Sequence, residues 1–220
     1  MIRSVRELDV AGKRVLLRVD FNVPLDAQGN VTDDNRVRAA VPTIRLLQEQ
    51  GARVILMSHL GRPKGKKVPA MSTEPAGAIL AGLLGTDVLH TDDCVGWGAR
   101  KLSADMPEGA VLLLENLRFH PEEEAGDEGF AARLAELGDC YVTDAFGALH
   151  RAHASVSKLP ALFPGQRAAG LLVEKEIRQL TALVDSPAKP FVAILGGAKV
   201  SDKIKVLESL LKKVDVLLIG

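Results

Sequence analysis

Arg14-Val15-Leu16-Leu17-Arg18-Val19 and Arg53-Val54-Ile55-Leu56-Met57 are two short, nearly continuous apolar runs. Between them lies Arg36–Gln50, with apolar residues at Val37, Val41, Ile44 and Leu47, closed by Gly51. The outer runs suit strands covered on both faces. The middle segment has helical periodicity, and a glycine is a good helix stop. Strand, helix, strand in this order predicts parallel pairing through a crossover.

The alternation continues outward. Asp87–His90, Ala110–Leu114, Cys140–Thr143, Phe191–Leu195 and Val214–Ile219 are further strand candidates. Thr73–Leu84, Gly129–Leu137, Leu171–Val184 and Asp202–Lys213 are helix candidates. Gly96-Trp97-Gly98 lacks the third glycine of a dinucleotide fingerprint and reads as a loop. The expected fold is α/β: a three-layer, Rossmann-like sandwich with a parallel sheet, followed by the first β-α-β unit of a second, incomplete α/β domain. Two prolines within Asp185–Pro190 mark a break between the units. The segment from Pro187 onward is short for independent folding, because units below about 40 residues rarely bury enough apolar surface.

Composition narrows the function. Of 220 residues, 47% are apolar and 25% charged, an ordinary soluble balance, and 28 Lys plus Arg face 28 Asp plus Glu. A nucleic-acid binder usually carries a basic excess, so a basic site here must be local and suited to small anions. Cys94 and Cys140 are far apart and form no metal-ligand spacing. No apolar run is long enough to cross a bilayer, and no signal-like segment opens the chain, so the reading is a cytoplasmic protein with neither nucleic-acid nor membrane partners.

Ligands of open parallel sheets bind beyond the carboxyl ends of the strands. The residues at the exit of each strand are therefore informative: Asp20-Phe21-Asn22; Ser58-His59-Leu60-Gly61-Arg62; Glu115-Asn116-Leu117-Arg118; Asp144, then His150-Arg151-Ala152-His153. Arg36 opens the first helix and can reach the same edge. Singly, each arginine is more often a solvated surface charge. Together they suit a ligand with several anionic oxygens, which guanidinium forks grip through paired hydrogen bonds. Asp20 and Asn22 could accept from a hydroxyl or hold an arginine. Glu122-Glu123-Glu124 reads as a solvated acidic loop, and no residue is assigned to a metal. In the tail, Gly196-Gly197-Ala198-Lys199 and Lys203 come after a strand and lead into a helix. Such glycines let backbone N–H groups approach phosphate, although the Walker A spacing is absent.

These motifs together resemble phosphoglycerate kinases. The resemblance rests on Arg18-Val19-Asp20-Phe21-Asn22-Val23-Pro24, Asp34-Asn35-Arg36-Val37, Ser58–Pro63, Glu115–His120, Asp144–Gly147 with His150–Ser155, and Gly196–Lys203, in the family's order. Ala148-Leu149 departs from the family's more usual Thr-Ala. The resemblance implies reversible phosphoryl transfer from 1,3-bisphosphoglycerate to magnesium-ADP, giving 3-phosphoglycerate and ATP in glycolysis. It implies substrate contacts at Asp20, Phe21, Asn22, Arg36, His59, Leu60, Gly61, Arg62, Arg118 and Arg151, and nucleotide contacts at Gly196, Gly197, Ala198, Lys199 and Lys203. Arg36 and Lys199 would stabilise the transferred group. Arg62, Arg118 and Arg151 would anchor the distal phosphate, with His59 assisting. Residues 1–170 would bind phosphoglycerate, 171–186 would form a connecting helix and hinge, and 187–220 would begin the nucleotide domain. Mg2+ would arrive with ADP or ATP, its contacts and those of adenosine lying mainly in a region beyond these residues. The expectation is a truncated chain with negligible turnover of its own, from a monomeric enzyme; the alternative is a non-catalytic anion-binding fragment of the same fold.

Overall fold

The structure is a computed structural model, and it describes residues 2–185, 188–196, 208 and 210–220. The chain divides into two units, Met1–Glu174 and Lys175–Gly220. In the first unit, β1 (Arg14–Arg18), β2 (Arg53–Met57), β3 (Val88–His90), β4 (Val111–Leu113), β5 (Cys140–Thr143) and β6 (Arg167–Ala169) form a six-stranded parallel sheet in the order β3-β4-β2-β1-β5-β6. Reversal of strand order on either side of β1 and β2 is the doubly wound arrangement, which leaves a crevice at the strands' carboxyl ends.

Alternate residues of each strand enter two different cores. Val15, Leu17, Val54, Leu56, Val111, Leu113 and Val142 pack with Val37, Ile44 and Leu47 of α1 (Asn35–Glu49) and Leu80 of α2 (Glu74–Leu84). Leu16, Ile55, Leu112, Leu114 and Tyr141 pack on the other face. Their partners there are Ala99 of α3 (Trp97–Asp105) and Phe130, Ala131 and Leu134 of α5 (Glu128–Ala135). Burial on both faces explains why these strands lack polar alternation.

Three departures from the sequence reading have local causes. Gly96-Trp97-Gly98 is not a loop: Gly96 caps α3, which buries only the small residues Ala99 and Ser103 and leaves Trp97 77% exposed. Glu122–Glu124 lie in a short helix, α4 (Pro121–Ala125), with Glu123 fully buried. The short strand β6 is absent from the sequence reading, because Arg167-Ala168-Ala169 carries no β-branched signal.

Helix α6 (Leu171–Asp185) begins against the first unit. The N–H groups of Leu172 and Val173 donate to Asp144 Oδ1, and that of Leu171 to Thr43 Oγ1. Burial pushes the Asp144 carboxyl up, opposed by its hydrogen bonds with Thr43 and with the Val173 and Leu172 N–H groups. In the second unit, β7 (Val192–Leu195) and β8 (Val216–Ile219) pair in parallel, and Asp215 accepts from Lys189 Nζ and the Phe191 N–H. The helix expected over 202–213 falls largely outside the described residues.

Candidate functional site

Parallel register brings the strand ends level. Arg18 pairs with Met57 on one side and Thr143 on the other, and Leu56 with Leu113. The segments leaving these strands therefore meet at one sheet edge. Glu115 and Asn116 tie them together. Glu115 accepts from Ser72 Oγ at 2.8 Å and the Thr73 N–H at 2.9 Å. Asn116 Nδ2 donates to the carbonyls of Leu60 and Met71, while its Oδ1 accepts from the Arg118 N–H.

Around this frame the basic residues form two groups. In the first, Arg36 Nη1 donates to Asp20 Oδ2 at 2.6 Å. A Cβ at Gly147 would come within 3.0 Å of the same oxygen, so the β5 loop packs on this pair. In the second, Arg118 Nη1 donates to the Gly61 carbonyl at 2.9 Å, and its Nε lies 3.3 Å from Glu124 Oε1 without forming a hydrogen bond. Burial lowers the Arg118 pKa, Glu124 opposes this, and Arg151 and Arg18 add to it. Asn22 links the groups, since its Oδ1 accepts from the Gly61 N–H at 2.9 Å.

His59 sits in the second group, buried. Its pKa falls to about 2, through burial first and then through Arg18, Arg118, His153 and Arg151. Loss of hydration and the neighbouring positive charge both disfavour the imidazolium, which keeps the ring neutral at physiological pH. Arg18 Nη2 contacts His59 Nδ1 at 3.1 Å. A guanidinium only donates, so Nδ1 accepts and the proton of the neutral ring sits on Nε2. That Nε2 has no hydrogen-bond partner among the described residues. Arg62 and Arg151 have exposed side chains without a hydrogen bond or ion pair to any described residue.

Phe21 and Leu60 contribute differently. Both side chains lie in the core; the Phe21 N–H donates to Ser58 Oγ and the Leu60 carbonyl accepts from Asn116. Gly196 directly follows β7, whereas Gly197, Ala198, Lys199 and Lys203 lie outside the described residues. Among the described residues, Asp93, Cys94 and His120 form one close set of possible metal ligands. There, His120 Nε2 lies 2.6 Å from Asp93 Oδ1 and its ring stacks on Phe130. The His120 contact, with help from backbone N–H groups, holds Asp93 down at about 2.

Comparison with known proteins matches residues 5–220 to the family described as phosphoglycerate kinase. The chain belongs to the phosphoglycerate kinase family. A phosphoglycerate kinase of Anaeromyxobacter sp. (strain K) is 59% identical over all of this chain, which spans 56% of that relative; one from Moorella thermoacetica is 56% identical, spanned to 54%. Solved phosphoglycerate kinases are similar in structure across the whole chain: that of Coxiella burnetii with a TM-score of 0.86 at 39% identity, that of Pyrococcus horikoshii with 0.89 at 35%. The chain covers 55% of each. It thus spans about half the length of these phosphoglycerate kinases.

Sequence reasoning does not single out three residues of this site, Arg18, Glu123 and Ser155; of His150 and His153, which it brings to this edge as alternatives, His153 is the buried one. Arg18 reads as part of an apolar strand, and it is 1% exposed. Its hydrogen bonds go to Ser155 Oγ, to the carbonyls of Val19 and Met57, and to His59, with no carboxylate among them. A guanidinium inside a strand and a serine two residues after His153 are the available signals.

Proposed function

We propose that this chain carries the phosphoglycerate-binding half of a phosphoglycerate kinase, in which 1,3-bisphosphoglycerate and magnesium-ADP exchange a phosphoryl group to give 3-phosphoglycerate and ATP. The observation that carries this reading is His59, buried with its Nδ1 on Arg18 Nη2, and Arg118 on the Gly61 carbonyl, beside the Arg36–Asp20 pair. A three-carbon acid with an anionic group at each end needs two basic groups, joined here through Asn22 and Gly61.

In this reading Arg118 and Arg151 neutralise the distal phosphate, Arg62 reaches it from the neighbouring turn, and His59 donates from Nε2. Arg36 lies over the reacting carboxyl and Asp20 orients it. Phosphoryl transfer depends on positioning and on neutralised oxygens more than on covalent chemistry. Gly196, Gly197, Ala198, Lys199 and Lys203 are assigned to the nucleotide phosphates on the family resemblance, with magnesium entering as part of the nucleotide substrate. Residues 1–170 hold the glycerate, 171–186 connect, and 187–220 open the nucleotide domain; the division between Glu174 and Lys175 supports this partition.

No helix among the described residues is long and apolar enough to cross a membrane. A cytoplasmic enzyme, monomeric when whole and acting on small molecules, fits these features. Calorimetric titration tests the reading. The chain should bind 3-phosphoglycerate, and Arg118→Ala or Arg151→Ala should weaken binding at least about tenfold through loss of a charge-assisted contact. Equal binding by the Arg151→Ala variant would refute it.

A further inference from the structure

Glu123 is fully buried, and the polar neighbours of its carboxyl among the described residues, Ser155 and His153, come from one segment. Oε1 accepts from Ser155 Oγ at 2.6 Å, and Oε2 from the Ser155 N–H at 2.9 Å. Oε1 also lies 3.9 Å from His153 Nδ1. Ser155 Oγ in turn lies 3.0 Å from Arg18 Nε.

The direction of each hydrogen bond comes from the groups themselves. Arg18 Nε can only donate, so Ser155 Oγ accepts there. With that lone pair taken, the single hydroxyl proton of Ser155 is left to donate, and Glu123 Oε1 at 2.6 Å is the acceptor beside it. Arg18 Nη2 donates to His59 Nδ1, which leaves the imidazole proton on Nε2. A buried charge is tolerated only when hydrogen-bonded or paired. Among the described residues Arg18 hydrogen-bonds no carboxylate directly, and the carboxyl that it reaches through Ser155 is that of Glu123.

We propose that Glu123 is a positioning residue for the anion cleft, acting through Ser155 and Arg18 to hold His59 as a donor through Nε2. This rests on the phosphoglycerate-binding reading only for the identity of the anion. Glu123 touches no ligand; it fixes the hydroxyl, the hydroxyl fixes the guanidinium, and the guanidinium fixes the imidazole. In the acidic run, Glu124 instead sits beside Arg118, so the neighbouring carboxylates have different tasks.

The test uses the 220-residue chain, labelled with nitrogen-15. In the ligand-free native chain, His59 should give the spectrum of a neutral ring protonated at Nε2 at pH 7. An Nδ1-protonated ring or an imidazolium would overturn the proposal. Ser155→Ala should weaken 3-phosphoglycerate binding about tenfold, the loss of one charge-assisted hydrogen bond. In a His59→Gln background the same change should alter binding less than about twofold; an equal effect in both backgrounds would overturn the relay through His59. Glu123→Gln should match Ser155→Ala in both respects, and a native His59 spectrum in a folded Glu123→Gln chain would contradict the proposal. If neither variant folds, the native spectrum decides. Failure of the native chain to bind 3-phosphoglycerate would strike the functional reading alone, since the ring spectrum is recorded without ligand.

Discussion

Arg36 Nη1 stands 2.6 Å from Asp20 Oδ2, which fastens the first turn of α1 to the segment leaving β1. The arginine side chain is half exposed, so the pair adds less than about 1 kcal/mol to stability. Its value lies in placement. Arg36→Ala, made in a longer protein that contains this chain and catalyses the transfer, should lower turnover on the order of 10³-fold while KM for 3-phosphoglycerate rises less than about tenfold. Steady-state kinetics checks this. A large rise in KM at unchanged turnover would make Arg36 a binding residue only.

His59 should make stability fall in acid. Its folded pKa, about 2, is below the ordinary value of 6.5. Below pH 6.5 the unfolded chain therefore takes up a proton that the folded chain refuses, and stability declines as pH drops from 6.5 toward 2. Between pH 7.5 and 5.0 the loss from this group is about 2 kcal/mol. Burial also lowers His153, against the pull of Glu123, and its contribution has the same sign. Urea unfolding at the two pH values should show a smaller difference for His59→Gln than for the native chain.

Asn116→Ala should damage fold and site together. It removes the donors to the Leu60 and Met71 carbonyls and the acceptor of the Arg118 N–H. Buried groups left unpaired cost about 1–3 kcal/mol each, partly relieved by relaxation. Thermal unfolding should register several degrees of loss. Binding of 3-phosphoglycerate should weaken as well, because Gly61 and Arg118 lose their common anchor.

Two glycines separate backbone strain from crowding. Gly29 has φ +86° and nothing within 4 Å of where a Cβ would stand; Gly126 has φ +68°, and a Cβ there would lie 2.6 Å from the Ala152 carbonyl. Gly29→Ala should cost about 1 kcal/mol. Gly126→Ala should cost at least about 1 kcal/mol more, since α4 must move from the segment carrying Arg151. Equal melting temperatures for the two variants would contradict this.

The sheet was legible because β1, β2 and β4 are buried on both faces, which writes itself as nearly unbroken Val, Leu and Ile. The edge carrying Asp20, His59, Arg118 and Arg151 came from strand direction alone. Helix α3 was hidden, because Trp97-Gly98 opens it and its buried side chains are small. A run of three glutamates does not say which one turns inward. Pro121 at the first helical position and Gly126 just past the end were nevertheless a helix signature. Arg18 was invisible for the opposite reason: a residue inside an apolar strand is assigned to packing, and only the hydrogen bonds to Ser155 and His59 reveal its other role.

The place of Trp97 decides how this molecule must be watched. It is the only tryptophan and already stands in water at the start of α3, so its emission in the folded chain is that of a hydrated indole and changes little on unfolding. The only tyrosine, Tyr141, is buried in the sheet with its hydroxyl on the Ser155 carbonyl. Near-ultraviolet dichroism of that phenol, rather than indole fluorescence, is the optical signal that reports on the core.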